Sequence, residues 1–359
     1  MECVSAFNDF VKNISLTDEM RQILSSAYKK LKIDLMSDPI GKQIITMFLQ
    51  GSYARHTGVR PINNDDKLDV DLIVVTKFDS NKMSPIEALN AFKPFLENTY
   101  KGKYDCRIQG RSIGIDFKNC KVDLVPTALP TQSMQLLLNE AFSSEEYAEK
   151  FYDSQKTIDT IRAYFNRGDE WRSNPLKIPD KEANKWEDTH PLAQIDYAQK
   201  RNAEKNGKFL PLVRILKWWK KNDCADIETI KSYPLEHFIG DYCGEGDKVS
   251  QLLVSTLENI VSNAPPIKPY LMDRGVHTHD VFQRVTQEDY TKFLARIKKL
   301  HELSDDALAD QDYVSSMKKW HEIFGDKFPV PDDDGHSEQN SRFTPRTSPS
   351  EPTKPTRYA

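Results

Sequence analysis

Leu68-Asp69-Val70-Asp71-Leu72-Ile73-Val74-Val75 is the stretch on which the fold turns. A short apolar, β-branched run with polar residues ahead of it reads as a strand. Side chains alternate along a strand, so Asp69 and Asp71 share one face while Val70 points inward. Four apolar residues then follow without a break, as in a core strand whose end emerges at a site. Two aspartates spaced this way are, by themselves, most often a solvated strand face. Their company changes the reading. Upstream, the apolar run 44–49 (IITMFL) reads as a buried strand and stops at Gly51-Ser52. Glycine there lets the backbone approach a ligand closely, and serine adds a hydroxyl beside free N–H groups. Downstream, Lys121-Val122-Asp123-Leu124-Val125-Pro126 sets one more carboxylate among apolar residues. Aspartate is disfavoured in a strand, which hints at a metal or a partner for it.

A phosphate-cradling turn, a carboxylate pair and a third carboxylate on another strand are what two-metal phosphoryl transfer needs. Hard oxygen ligands hold Mg²⁺; one ion activates the attacking hydroxyl and the other stabilises the leaving pyrophosphate.

Further out, the period changes along the chain. Residues 18–35 carry apolar side chains at helical spacing, with Thr17 as N-cap. Residues 85–97 read as helix, and 104–108, 112–117 and 122–125 as three short strands. From about 154 to 324 the pattern is nearly all helical, strongest at 192–203, 209–221, 235–243, 249–261 and 290–303. The expected class is α+β: a mixed sheet lobe with N-terminal helices over 1–153 and a helical lobe over 154–328. From 329 to 359 the chain has six prolines, Asp332-Asp333-Asp334 and few apolar groups. Such a segment buries too little to offset its ordering entropy, so a disordered tail is expected.

The composition excludes several classes. Among 359 residues, 50 Lys and Arg face 54 Asp and Glu, a net charge of -4. That balance argues against a uniformly basic coat, so no stable nucleic-acid complex is expected. No run reaches the roughly 18 apolar residues of a membrane helix, and the first residues do not resemble a secretory signal. Cys3, Cys106, Cys120, Cys224 and Cys243 form no close pair, as expected for reduced thiols in the cytoplasm.

Gly51-Ser52, Asp69-Val70-Asp71 and Asp123 together resemble the signature of polymerase-beta-type nucleotidyltransferases. Trp171, Asn174-Pro175, the run Leu212–Lys220 (LVRILKWWK) and Lys231-Ser232-Tyr233-Pro234-Leu235-Glu236 are similar to the bacterial cGAS/DncV-like members, relatives of 2′-5′-oligoadenylate synthase. The likeness runs over about 17–328 and implies a bilobal nucleotidyltransferase fold. It implies that Gly51 and Ser52 hold triphosphate oxygens, that Asp69 and Asp71 bind two Mg²⁺ ions (Mn²⁺ substituting), and that Asp123 binds the catalytic one. Lys217 would reach the donor triphosphate, Ser232 its terminal phosphate, and Lys231 is a further phosphate candidate. Tyr233 would stack on a base or pack in the core. Asn174 would touch the acceptor nucleotide or only cap a turn.

The bland readings stand beside these. Residues 200–221 hold eight Lys or Arg and one Glu, usually a solvated helix face. The stripe Leu212, Ile215, Leu216, Trp219 leaves Arg214, Lys217 and Lys221 on the other side. Trp218 and Trp219 read as core. His277-Thr278-His279-Asp280 reads as polar surface and not as zinc. The implied activity joins nucleoside triphosphates, ATP foremost, into a cyclic di- or trinucleotide that activates an effector in anti-phage defence. The tail would suit conjugation by a ubiquitin-type ligase. The rivals are a linear oligoadenylate or RNA-tailing enzyme and a non-catalytic member, which usually lacks one acid of the triad.

Overall fold

The run at Leu68 becomes strand β2 (Leu68–Phe78) of a five-stranded sheet in the computed structural model, which describes residues 1–63, 66–142, 163 and 174–330. On one side lies β1 (Ile44–Gln50), antiparallel; on the other lies β5 (Cys120–Ala128), parallel. Beyond β5 come β4 (Ile113–Asp116) and β3 (Asp105–Ile108), both antiparallel to their neighbours. The order is therefore β1-β2-β5-β4-β3. Leu72, Ile73, Val74 and Val75 are all fully buried. A strand covered on both faces loses the polar alternation of an edge strand, which explains the continuous apolar run.

Helices complete this core. In α2 (Asp18–Ser37) the Thr17 side chain accepts the Met20 N–H, and Leu24, Tyr28, Leu31 and Leu35 form the buried stripe. Helix α4 follows the short α3 (Gly51–Ala54) and spans Pro85–Asn90, opened by a Ser84–Glu87 capping box. In α5 (Gln132–Phe142), Phe142 stacks on Phe48 of β1 with centroids 4.5 Å apart. Truncating Phe48 to alanine would cost about 3–5 kcal/mol, because it opens a cavity and leaves Phe142 without its stacking partner.

The second core is helical: α6 (Pro191–Glu204), α7 (Phe209–Asp223), α8 (Ser232–Tyr242), α9 (Val249–Asn263), α10 (Gln287–Ala309) and α11 (Tyr313–Phe324). The cores do not follow one cut in the chain. Helix α1 (Val4–Ile14) buries Phe7 and Phe10 in the helical core, where Phe7 meets Trp320 edge-on at 4.9 Å and Phe10 stacks on Phe324 at 4.8 Å. Conversely Leu176, Leu192, Ala193 and Ile195 belong to the sheet core. The division expected at 153/154 falls outside the described residues, as does the tail from 331 onward.

One expectation is corrected. The stretch after 154 is not all helical, because β6 (Leu176–Asp180) and β7 (Lys185–Thr189) form an antiparallel hairpin. Asp180 builds its turn: Oδ1 accepts the N–H groups of Glu182 and Ala183 at 3.0 and 2.9 Å, and Asn184 takes φ +49. Trp186 Nε1 then donates to Met83 O at 2.8 Å, seating the hairpin against the sheet lobe. Among the described residues no helix is long and apolar enough to cross a membrane, and none of the five cysteines forms a disulfide.

Candidate active site

Register, more than spacing, brings the carboxylates together. Gln50 of β1 pairs with Asp71 of β2, Asp71 with Asp123 of β5, and Asp123 with Gly114 of β4. This row crosses four strands at one height. Two residues back, Asp69 pairs with Lys121 and lies on the same face. Asp69, Asp71 and Asp123 thus come from two adjacent parallel strands, with Val70 fully buried behind them.

The chain leaves β1 at Gly51 with φ +72 and enters α3 at once. A Cβ at Gly51 would fall 1.9 Å from Asp71 Oδ2, so only glycine fits. Gly114 serves a parallel purpose across the sheet. Its missing side chain leaves room for Gln109, whose Nε2 donates to Asp123 Oδ1 at 3.0 Å. Beside this bond a cavity of about 270 Å³ is lined by Asp69, Asp123, Gln109, Arg107 and Lys121 among others.

Burial raises all three acids, and repulsion from neighbouring carboxylates adds to it at Asp69 and Asp71. Burial, then the Asp69 and Asp123 charges, pushes Asp71 up to about 7, against the pull of Arg55 and Lys217. Burial and Asp123 raise Asp69; burial raises Asp123, with the Gln109 bond opposing. Three hard carboxylates that destabilise one another's charge form a donor set that a divalent cation would relieve. Among the described residues no three acidic, histidine or cysteine side chains already converge tightly enough to hold an ion. The strands set the donors at the right rows, and side-chain rotation would have to close the site.

Behind Asp71 lies a buried ion cluster. Glu236 Oε1 accepts Lys217 Nζ at 2.9 Å and Thr57 Oγ1 at 2.9 Å, while Oε2 accepts Arg55 Nε at 2.8 Å. Arg55, Thr57, Lys217 and Glu236 are only 6, 1, 4 and 6% exposed. Lys217 is therefore buried, unlike the solvated face that most basic runs of this kind form. The helix α7 is packed on that side too, and Glu236 makes burial of the ammonium tolerable. Burial alone would raise the Glu236 acid, but Arg55 and then Lys217 outweigh it and hold the acid at about 2.

The other candidates are placed as follows. Tyr233 donates its hydroxyl to Asp273 Oδ2 at 2.7 Å, carries the Arg55 guanidinium 5.1 Å over its ring, and still lines an open cavity of about 600 Å³. Lys231 lines the same cavity and is exposed, next to Ser232, the exposed first residue of α8. Asn174, half-buried just ahead of β6, and Ser232 line neither cavity. Trp171 lies outside the described residues. Trp218 and Trp219 are core, with Trp218 Nε1 donating to Phe324 O. Asp280 of the His277–Asp280 stretch accepts the backbone N–H groups of Leu271 and Phe282 at 2.9 Å, a loop-forming role.

Sequence reasoning gave no role to Gln109, Arg55, Thr57 or Glu236. A glutamate inside Leu235-Glu236-His237-Phe238-Ile239 was the available signal, since a lone acid on a buried helix face needs a cation.

Residues 1–148 match the family model described as a Second Messenger Oligonucleotide or Dinucleotide Synthetase domain. Over 395 aligned positions, spanning 100% of both chains, the sequence is 35% identical to the cyclic AMP-AMP-GMP synthase of Enterobacter hormaechei subsp. hoffmannii (strain UCI 50). Two solved structures share the fold. The E. coli MS115-1 CdnC, in complex with HORMA-deltaN, superposes with a TM-score of 0.63 at 16% identity, covering 91% of this chain and 98% of that one. The Vibrio cholerae DncV cyclic AMP-GMP synthase, holding the linear intermediate 5′ pppA(3′,5′)pG, gives 0.61 at 13%, covering 90% and 94%.

Proposed function

The chain belongs to the bacterial cGAS/DncV-like nucleotidyltransferases, and from that premise we propose that it is a Mg²⁺-dependent synthase of a cyclic trinucleotide built from ATP and GTP. It makes cyclic oligonucleotides from nucleoside triphosphates, and its product serves anti-phage signalling. The observation that carries the reading is the register of Asp71 with Asp123 beneath the turn at Gly51.

Asp69 and Asp71 would hold two Mg²⁺ ions, and Asp123 would bind the catalytic one. Bound there, the ions supply Lewis-acid activation of the attacking ribose hydroxyl and charge stabilisation of the leaving pyrophosphate. The chain's own residues do the rest. Gly51 and Ser52 offer N–H and hydroxyl donors to triphosphate oxygens. Gln109 occupies Asp123 Oδ1 and so leaves Oδ2 for the site. Lys217, beside Asp71, supplies positive charge to the donor triphosphate, and Ser232 and Lys231 serve its terminal phosphate. Tyr233 stacks on a base, and Asn174 meets the acceptor nucleotide. Repetition of one phosphoryl transfer, ending when the last nucleotide's free hydroxyl attacks the α-phosphate of the first and displaces its pyrophosphate, closes the ring. A downstream effector takes the product, and a ubiquitin-type ligase joins the 329–359 tail to a target.

The test is incubation of purified protein with labelled ATP, GTP, CTP and UTP, singly and together, with Mg²⁺ or Mn²⁺. Products are treated with phosphatase and weighed, with Asp69→Asn/Asp71→Asn as control. A phosphatase-resistant product of two adenylates and one guanylate, absent from the control, is expected. A phosphatase-sensitive ladder would instead mark linear tailing.

A further inference from the structure

We propose that Glu236 is a positioning residue: its buried carboxylate fixes Lys217 beside Asp71 and locks that lysine to the turn that begins at Gly51. The inference rests on the assignment of Lys217 to the donor triphosphate.

Glu236 is a junction between two parts of the chain. Arg55 and Thr57 lie just past the turn and are bonded back to it, Arg55 N–H to Gly51 O at 3.1 Å and Thr57 N–H to Ser52 O at 2.9 Å. Lys217 and Glu236 stand on α7 and α8 of the helical core. One acid therefore holds donors from both parts of the chain. Two cations against one anion leave a net positive charge, and both cations act on Asp71. An ammonium has three N–H donors. One is used on Glu236, and no other partner of Lys217 is seen among the described residues. Two donors remain for an incoming anion, on a side chain whose rotamer freedom was surrendered at folding and not at binding.

A purely structural role explains less. A buried ion pair is often no better for stability than apolar residues of the same volume. Three donors converging on one acid next to the catalytic row fit placement of charge instead.

A double-mutant cycle separates the two. The probe is α,β-methylene-ATP, which keeps the triphosphate and cannot release pyrophosphate, with AMP as the reference ligand. Glu236→Gln and Lys217→Met are each expected to weaken the analogue about tenfold or more, and AMP by less than about threefold. The double variant should bind no worse than Lys217→Met alone, because Glu236 acts through that lysine. If Glu236→Gln does not fold by thermal melting, Thr57→Val enters the same cycle; its loss, about threefold, should likewise vanish in the Lys217→Met background. Additive losses, equal losses for AMP, or wild-type affinity in Glu236→Gln would overturn the proposal. Failure of the synthase reading would show separately, in wild-type protein that binds the analogue yet makes no phosphatase-resistant product.

Discussion

Gly51→Ala tests the site at one methyl group. The backbone at Gly51 has φ +72, where an L-residue carries about 1–2 kcal/mol of strain. The new Cβ would sit 1.9 Å from Asp71 Oδ2 and 2.9 Å from its Cγ. Real contacts of this kind stay above 3.0 Å, so the carboxylate must retreat by about 3.0 − 1.9 = 1.1 Å. The backbone cannot yield in its place, because Gln50 and Asp71 are ladder partners. Displacing a catalytic group by about 1 Å costs on the order of a hundredfold in rate, or about 2.7 kcal/mol of barrier. Gly102 supplies a matched control: φ is +75, and a Cβ there would meet nothing within 4 Å. Both alanine variants should lose about 1 kcal/mol of stability in thermal melts. Only Gly51→Ala should lose about a hundredfold in the initial rate of phosphatase-resistant product. A Gly51→Ala enzyme within about threefold of wild type, or a Gly102→Ala enzyme equally impaired, would refute the reasoning.

Three more outcomes follow from the site and its surroundings. Gln109→Leu keeps the volume but removes the donor to Asp123 Oδ1; turnover should fall about tenfold and half-activation should need more Mg²⁺, as a metal titration of the rate would show. Mn²⁺ should raise the thermal midpoint of wild-type protein more at pH 8 than at pH 6, because Asp71, at about 7, must lose its proton to bind a cation; Asp71→Asn should show little shift at either pH. Burial pushes His237 down to about 4, so its stabilising neutral form is fully present above the ordinary value near 6.5 and is lost as pH falls from there toward 4. Urea unfolding of wild type and His237→Gln should therefore diverge with pH across that window and run parallel above pH 7.

The strands and helices were legible wherever one residue's neighbours in sequence decide its place. Runs 47–49 and 72–75 are apolar because both faces of the sheet are covered, and Thr17 caps α2 by a bond only three residues long. The β6–β7 hairpin was not legible. LKIPD and KWEDT carry little β-branched character, and the turn depends on Asp180, whose Oδ2 also accepts Arg111 Nε at 2.8 Å from elsewhere in the chain. The carboxylates could be named from local pattern, but their registration across β2 and β5 spans 52 residues and is set by the sheet. Lys217 was named as a cation facing the site, yet its burial depends on Glu236, nineteen residues on, and on Arg55 and Thr57 from the other core. Long-range pairing of charges leaves no periodic trace.

The seating of α1 bears on how the chain is born. Phe7 and Phe10 find their partners in Trp320, Phe324 and Phe328, and 313 residues separate Phe7 from Trp320. At ribosomal speeds of about 5–20 residues per second, α1 emerges roughly a quarter of a minute to a minute before the surface it packs on. Its first apolar stripe must wait uncovered, or in the care of a chaperone, while the whole catalytic sheet is made. The last turn of α11 then gives α1 its partners, so the helical core cannot close until residues 320–328 have been made.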